Sequence, residues 1–209
     1  MNLANKLTLI RIFLVPVFLL FIAKRGIPYG TFIATFIFIL ASSTDKLDGY
    51  VARSRNQITN FGKFMDPLAD KLLVTAALIS LVELQVVPGW AAVVIIAREF
   101  AVSGLRSIAA AQGRVIAASW WGKVKTVIQI IAIILLLLKV NIHDAKLLKI
   151  FVIENHYLKE FFRIVPTIML MVAVIITLIS GYDYFKKNKE AVSIDEWKMR
   201  IWIENFNCK

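Results

Sequence analysis

Long apolar runs separated by short polar segments make up most of the chain. Six such runs follow one another, the first over residues 7–23 and the last over residues 164–185. A helix that crosses a bilayer needs about 20 largely apolar residues. The pattern therefore predicts an all-α membrane protein with six transmembrane helices and both termini on one side of the membrane.

The second and third apolar runs are too short to cross a bilayer unless their helices extend into polar sequence. The second run, 27–41, must continue to about Arg53, and the third, 68–82, must begin near Gly62. Because the link between them is short and polar, we predict an antiparallel helix pair. The extension brings four aspartates to one depth, on the same side of the membrane.

Composition supports the membrane assignment and limits the number of domains. Of the 209 residues, 59% are hydrophobic, and the mean hydropathy is +0.72, which is outside the range of soluble globular domains. We predict one transmembrane domain over residues 1–189 and a tail over residues 190–209, whose tryptophans among charges favour an interfacial helix. The single cysteine, Cys208, cannot form an intramolecular disulfide.

The net charge of +11 is compatible with nucleic acid, an anionic membrane surface or an anionic substrate as the partner. Basic residues concentrate in the second-to-third and fourth-to-fifth connections and after the last apolar run. Such residues mark the cytoplasmic side of a membrane protein. We therefore expect membrane lipids and an anionic substrate as partners, and no nucleic acid.

Four aspartates at helical spacing are the most specific chemical feature. Asp45 and Asp48 are three residues apart, and Asp66 and Asp70 are four apart, so each pair projects from one side of its helix. Two pairs facing each other would form a cage of carboxylates that repel one another unless cations neutralise them. Oxygen ligands in this number suit Mg²⁺ or Mn²⁺. Such a site favours phosphoryl transfer, in which two metal ions stabilise the attacking and leaving oxygens.

Basic side chains on the fourth and fifth helices are predicted at the same membrane face as the aspartates. They are Arg98, Arg106, Arg114 and Lys123. The acids belong to the second and third helices and the bases to the fourth and fifth, an arrangement that suits metal ions on one side of the site and a phosphate on the other. A structural alternative for Arg106 is a salt bridge with Glu99 on the same helix. Lys123 and Lys125 point about 200° apart on a helix, so at most one faces an interior site, and we predict Lys123.

Two further groups of residues have both a structural and a functional interpretation. The small residues around the aspartates are Gly49, Ala52 and Gly62. They would allow a bulky group to approach the backbone, or would only allow the helices to pack tightly. Asn5, Thr8 and Arg11 recur every three residues as a polar stripe on the first helix. The alternative is a helix start followed by an arginine that extends to the membrane surface.

The stretch from Asp45 to Asp70 resembles the signature of the CDP-alcohol phosphotransferases. It reads Asp-x-x-Asp-Gly-x-x-Ala-Arg, eight residues, then Gly-x-x-x-Asp-x-x-x-Asp, and every position matches without a gap. The resemblance implies this family's six-helix fold over essentially the whole chain, usually assembled as a homodimer. It also implies that an alcohol displaces CMP from a CDP-linked lipid, with divalent cations bound to the four aspartates.

Carried over by position, the resemblance implies roles for individual residues. Asp45, Asp48, Asp66 and Asp70 would hold two divalent cations, Mg²⁺ or Mn²⁺, and Asp70 would also accept the proton of the attacking hydroxyl. Arg53 would compensate the negative charge of the diphosphate. The residues expected at the CDP-diacylglycerol, with Ala52 and Gly62 included for their small size, are Asn5, Thr8, Gly49, Ala52, Arg53, Thr59 and Gly62.

The acceptor side is similar to bacterial members of this family that use glycerol 3-phosphate. The similar segments are Arg98-Glu99, Gly104-Leu105-Arg106, Gly113 and Gly122-Lys123-x-Lys125-Thr126. A phosphate on the acceptor requires fixed cations, which Arg98, Arg106 and Lys123 would supply. The resemblance thus implies a phosphatidyltransferase of the bacterial cytoplasmic membrane, with its site at the cytoplasmic face, that releases CMP and forms phosphatidylglycerophosphate.

Two alternatives stay open. The same family includes enzymes for other acceptors, such as inositol phosphate, serine or choline, and the basic residues alone do not exclude inositol phosphate. A divalent cation transporter would also carry intramembrane aspartates, although these would lie near the middle of the bilayer and on several helices. Release of CMP with a panel of alcohols distinguishes the acceptors, and metal flux into liposomes distinguishes the transporter.

Overall fold

The computed structural model describes residues 3–24, 27, 29–54, 60–111, 119–144 and 156–188, and this part of the chain forms six helices and no strand. The helices are α1 (Leu3–Ala23), α2 (Gly30–Ser54), α3 (Asn60–Glu83), α4 (Gly89–Ala111), α5 (Trp120–Asp144) and α6 (His156–Lys187). The all-α prediction is confirmed for these residues.

The helices α2 and α3 extend beyond their apolar runs, as the membrane-length argument predicts. α2 continues through Asp45 and Asp48 to Ser54, and α3 begins at Asn60, close to the predicted Gly62. A helix satisfies its backbone hydrogen bonds internally, so it can cross from apolar into polar surroundings without unpaired groups. The link between the two helices, residues 55–59, lies outside the described residues.

A tight turn after α3 reverses the chain into α4. Gln85 has a positive φ of 59°, and the N–H groups of Val86 and Val87 both donate to the carbonyl of Leu81. A left-handed residue with these bonds is a common way to end a helix, because it satisfies the last carbonyls. The turn makes α3 and α4 antiparallel neighbours.

The helices pack through an apolar core with small residues at close approaches. α1 packs against α2 and α3, α5 against α2 and α6, and α4 against α6. Phe18 and Phe38 join α1 to α2 with their ring centroids 6.2 Å apart, while Ala41 and Ala77 are fully buried in the same core. Small residues at such positions allow membrane helices to approach closely.

The outer surface of the bundle is also apolar. Large hydrophobic side chains point outward from α1, α2, α4 and α6, among them Phe13, Phe36, Val93 and Ile175. A soluble protein rarely exposes apolar surface this widely. Two segments, Trp120–Ile142 and His156–Lys187, are long and apolar enough to cross a membrane, and Thr8–Ala23 and Gly30–Thr44 are shorter apolar segments. Crossing by all six helices therefore remains a prediction.

Residues 141–163 mix both charge signs, which predicts a solvated loop with a short surface helix, but the two flanking helices extend into this segment from both ends. α5 continues through Asn141 to Asp144, and α6 begins at His156 rather than near Ile164. Asn141 is buried, and its Nδ2 donates to Thr35 Oγ1 on α2 at 3.0 Å. This bond satisfies the amide nitrogen of the buried side chain, and the helix continues past it.

Candidate functional site

The helix ends that carry the candidate site residues lie at one end of the bundle. The turn at Gln85 places the start of α3 beside the end of α4. Asn141, near the end of α5, contacts Thr35, near the start of α2, so the start of α5 lies with the end of α2. The last turns of α6 contact α4 at this same end through Arg106 and Tyr184. We call this the polar end of the bundle.

The two acidic pairs lie on neighbouring helices at the polar end. Asp45 and Asp48 belong to α2, Asp66 and Asp70 to α3, and the two helices pack against each other. Asp45 is about 14 Å from the end of α2 and Asp66 about 9 Å from the start of α3, at 1.5 Å per residue. The backbone thus places the pairs at similar depths. Their side chains lie outside the described part of the structure, so a shared metal site remains a prediction.

The polar stripe on α1 faces the interior. Thr8 and Arg11 are each only 1% exposed, and α1 packs against α2 and α3, the two helices that carry the aspartates. This burial excludes the alternative of an arginine that extends to the membrane surface. Thr8 is therefore buried in the helix that packs against the aspartate-bearing helices, and its contact with the nucleotide stays a prediction. The side chain of Asn5 is outside the described residues.

A second group of polar side chains, here called the cationic cluster, joins α4, α5 and α6. Its members are Arg98, Glu99, Arg106, Lys125, Ser180 and Tyr184. Arg98 Nη2 donates to Ser180 Oγ at 2.6 Å, and Arg98 Nη1 lies 3.8 Å from Glu99 Oε2. Lys125 Nζ forms an ion pair with the other oxygen of Glu99. Arg106 Nε donates to the Tyr184 hydroxyl at 3.1 Å, and its Cζ lies 5.5 Å from the centre of that ring.

Two glycines, one on α5 and one on α6, lie beside Arg98. A Cβ on Gly181 would lie 3.3 Å from Arg98 Cγ, and a Cβ on Gly122 would lie 4.0 Å from Arg98 Nη2. Ser119 caps α5 by accepting the N–H of Gly122 at 3.1 Å, which fixes where that helix begins. A side chain at position 181 would push against the arginine, so this glycine serves close packing.

The structure reverses the prediction for the two lysines of α5. Lys125 is 1% exposed and paired with Glu99, whereas Lys123 is exposed. The salt bridge between Glu99 and Arg106 is also wrong. Those residues are seven apart, about 10 Å along the helix, and each has a nearer partner on another helix. A role for Lys123 in phosphate binding stays a prediction, but not from an interior position.

Comparison with known proteins identifies the family of this chain. The model of the CDP-alcohol phosphatidyltransferase family matches residues 1–179. The chain belongs to this family. It is 45% identical over 202 residues to the CDP-diacylglycerol–glycerol-3-phosphate 3-phosphatidyltransferase of Bacillus subtilis, covering 91% of this chain and 97% of that protein.

Other relatives of this CDP-alcohol phosphatidyltransferase have corresponding names. The CDP-diacylglycerol–glycerol-3-phosphate 3-phosphatidyltransferase of Rickettsia bellii is 38% identical over 189 residues, with 90% of this chain and 96% of that protein covered. The probable phosphatidylglycerophosphate synthase of Mycobacterium tuberculosis is 38% identical over 187 residues, with 88% and 79% covered. The similarity therefore extends along most of the chain.

The remaining residues predicted to contact the CDP-lipid fall on the helices of the polar end. Gly49, Ala52 and Arg53 lie in α2 and Gly62 in α3, and their side chains are outside the described part. Thr59 and Arg114, with the connections that hold them, lie outside the described residues altogether. The structure thus brings the relevant helices together, and the individual contacts stay predictions.

Sequence reasoning missed the contribution of α6. Ser180, Gly181 and Tyr184 hold the arginines of α4, yet this helix was interpreted only as a membrane span. A signal was present, because Ser180 and Tyr184 are four residues apart near the end of a mostly apolar run. Residues at this spacing share one face of a helix.

Proposed function

We propose that this chain transfers the phosphatidyl group of CDP-diacylglycerol to glycerol 3-phosphate, releasing CMP and forming phosphatidylglycerophosphate. The observation that carries the proposal is the presence of Arg98 and Arg106 at the same end of the bundle as the helices with the family's four aspartates. The names of the relatives from three bacterial genera support it.

The acidic pairs of α2 and α3 would hold two divalent cations, Mg²⁺ or Mn²⁺. Two packed helices that carry four carboxylate residues at similar depths fit hard cations, which prefer oxygen ligands. When bound, such cations neutralise phosphate charge and make a nearby hydroxyl easier to deprotonate. The ligands would be Asp45, Asp48, Asp66 and Asp70.

The reaction replaces the phosphoanhydride bond of the CDP-lipid by a phosphate ester bond. The glycerol hydroxyl oxygen forms a bond to the lipid-linked phosphorus, and the bond between that phosphorus and the CMP oxygen breaks. Asp70 would accept the hydroxyl proton, and CMP would leave with the bonding electron pair. Arg53 would hold the diphosphate, and Thr8, which is buried on the α1 face that packs against α2 and α3, would lie beside the nucleotide.

Charge in the cationic cluster fits a phosphate-bearing acceptor. Glu99 is the ion-pair partner of Lys125, so Arg98 and Arg106 together contribute two positive charges that no carboxylate of the cluster fully offsets. A phosphate monoester carries a charge of about −1.5 to −2 at neutral pH. Serine and choline would leave these two charges uncompensated. Lys123, which is exposed, would attract the anion towards the site.

The proposal also covers the location of the enzyme and its oligomeric state. Outward apolar side chains on four helices and basic residues at the end of α6 favour a multi-pass protein of the bacterial cytoplasmic membrane. Its active site would open to the cytoplasm, and the protein would act as a homodimer, as its family resemblance implies.

An acceptor panel tests the proposal. Purified protein with CDP-diacylglycerol and Mg²⁺ is assayed for CMP release with glycerol 3-phosphate, inositol phosphate, glycerol, serine and choline. Each charge-assisted hydrogen bond lost with the phosphate costs about 1.5–3 kcal/mol. We therefore expect kcat/KM for glycerol 3-phosphate to exceed that for glycerol at least about 100-fold.

The panel also has outcomes that contradict the proposal. A preference for serine, choline or glycerol would make the cationic cluster irrelevant to the acceptor. A preference for inositol phosphate would keep the family and change the product. Metal flux into liposomes that contain the protein but no CDP-lipid, together with no CMP release, would make the chain a transporter.

A further inference from the structure

The helix α6 supplies one hydroxyl to each arginine of the cationic cluster. Ser180 accepts a hydrogen bond from Arg98 and Tyr184 accepts one from Arg106. Both hydroxyl-bearing residues are buried, and they are one helical turn apart, so they lie on one face of α6. The ring of Tyr184 is itself fixed by Val102 and Leu105 of α4.

The two anchors lie closer together along α6 than the two arginines lie along α4. Arg98 and Arg106 are eight residues apart on α4, about 12 Å along its axis, whereas Ser180 and Tyr184 are four residues apart, about 6 Å along theirs. Holding like charges together costs free energy, which an anion between them would recover.

We propose that Ser180 and Tyr184 are positioning residues of the acceptor site, which hold Arg98 and Arg106 at the separation at which both bind one phosphate group. The inference rests on the proposed function, because it assigns that phosphate to the acceptor. Neither hydroxyl needs to touch the acceptor. The family model's match ends at residue 179, so these two residues lie beyond the part of the chain that the family model covers.

A purely structural role would give different behaviour. If the hydroxyls only paired with the half-buried Arg98 and the exposed Arg106 and joined α6 to α4, their removal would lower stability and leave the apparent affinity for each substrate unchanged. If they position the arginines, their removal acts selectively on the acceptor. The KM for glycerol 3-phosphate separates the two roles.

The first measurement compares Ser180→Ala, Tyr184→Phe and Tyr184→Leu with the unmodified enzyme. We expect Ser180→Ala and Tyr184→Phe to raise the KM for glycerol 3-phosphate about tenfold, because each removes one hydrogen bond to a charged group. Tyr184→Leu should raise it further, because it also removes the ring beneath the cation. The KM for CDP-diacylglycerol should stay within about twofold.

A matched control lies on the same helix. Thr177 is buried in α6, and its hydroxyl has no hydrogen-bond partner among the described residues. Thr177→Val removes a buried hydroxyl of similar size without touching either arginine's anchor. We expect both KM values to stay at those of the unmodified enzyme.

A double-mutant cycle gives the decisive readout. Arg106→Ala alone should raise the KM for glycerol 3-phosphate, and adding Tyr184→Phe should raise it little further, since the tyrosine acts through that arginine. Fully additive effects would overturn the inference, as would a lowered melting temperature with unchanged KM, or equal rises in both KM values.

If the unmodified enzyme releases no CMP with glycerol 3-phosphate, the proposed function fails instead. Protection against heat by glycerol 3-phosphate, weaker in Ser180→Ala and Tyr184→Phe, provides a test independent of turnover.

Discussion

At the residue scale, Glu99 controls how much positive charge the cationic cluster carries. Its carboxylate forms an ion pair with Lys125 through one oxygen and lies near Arg98 through the other. Lys125 is almost completely buried, and a buried ammonium group is stable only with a compensating partner. The pair of Glu99 with Lys125 therefore stabilises the buried ammonium, and the cluster keeps a net positive charge from its two arginines.

Removing the Glu99 carboxylate alone should destabilise the protein more than removing the charges of both Glu99 and Lys125. Glu99→Gln leaves the buried ammonium of Lys125 without its carboxylate, which costs about 3–5 kcal/mol in comparable buried pairs. The double variant Glu99→Gln with Lys125→Met should recover much of the loss. Thermal unfolding in detergent measures both, and Lys123→Met, at an exposed position, is the control with little expected change. An unchanged melting temperature for Glu99→Gln would show that the pair does not stabilise the fold.

The two lysines illustrate what periodicity does and does not determine. Their spacing correctly places Lys123 and Lys125 on different sides of α5. Which side faces inward depends on the rotation of the helix, and that is set by Ser119 at its start and Glu99 on α4. Neither constraint is visible in the spacing of the lysines. The prediction that at most one of the two faces the interior therefore agrees with the structure, but the lysine chosen was Lys123 and the buried one is Lys125.

At the element scale, the extents of α2 and α3 were the most predictable part of the fold. The second and third apolar runs are too short to cross a bilayer, so their helices had to extend into the aspartate-containing sequence. Both helices extend in this way. The boundary between α5 and α6 was misjudged because Asn141 and His156 resemble loop residues. Asn141 is compensated by Thr35 of α2, a residue 106 positions away, and no local pattern reveals that partner.

The acidic pairs on α2 and α3 give a prediction at the same scale. Asp66→Asn or Asp70→Asn should lower CMP release at least about 1000-fold, because a metal ligand or the proton acceptor is lost. Chelation with EDTA should abolish release, and Mg²⁺ or Mn²⁺ should restore it.

A matched control for these variants is Asp183→Asn on α6. Asp183 pairs with Lys187 one turn away, and a surface pair of this kind contributes little. We expect activity close to that of the unmodified enzyme. Near-normal turnover in both Asp66→Asn and Asp70→Asn would refute the carboxylate cage, whereas an equal loss in Asp183→Asn would indicate a general sensitivity to lost carboxylates.

At the scale of the whole molecule, α6 shows how the bundle fits a bilayer. Its 32 residues span about 48 Å, against about 30 Å for the hydrocarbon core. Residues 164–182 carry no charge, while the first two turns contain an ion pair between Glu160 and Arg163, and the last turn ends in Lys186 and Lys187. The helix therefore has a charged segment beyond each end of its apolar middle, and its basic end coincides with the polar end of the bundle.

This arrangement predicts that the two ends of α6 face opposite sides of the membrane, with the polar end in the cytoplasm. The chain's single cysteine, Cys208, follows α6, so a membrane-impermeant maleimide should label it in inverted vesicles and not in right-side-out vesicles. Tyr157→Cys in a Cys208→Ser background should show the reverse, because Tyr157 is 86% exposed at the other end of α6. Labelling of both from one side would mean that α6 does not cross. The reverse pattern would turn the aspartates and arginines outward, away from the cytoplasm that supplies nucleotide-linked lipid and phosphorylated acceptor, and the proposed reaction would lose both substrates.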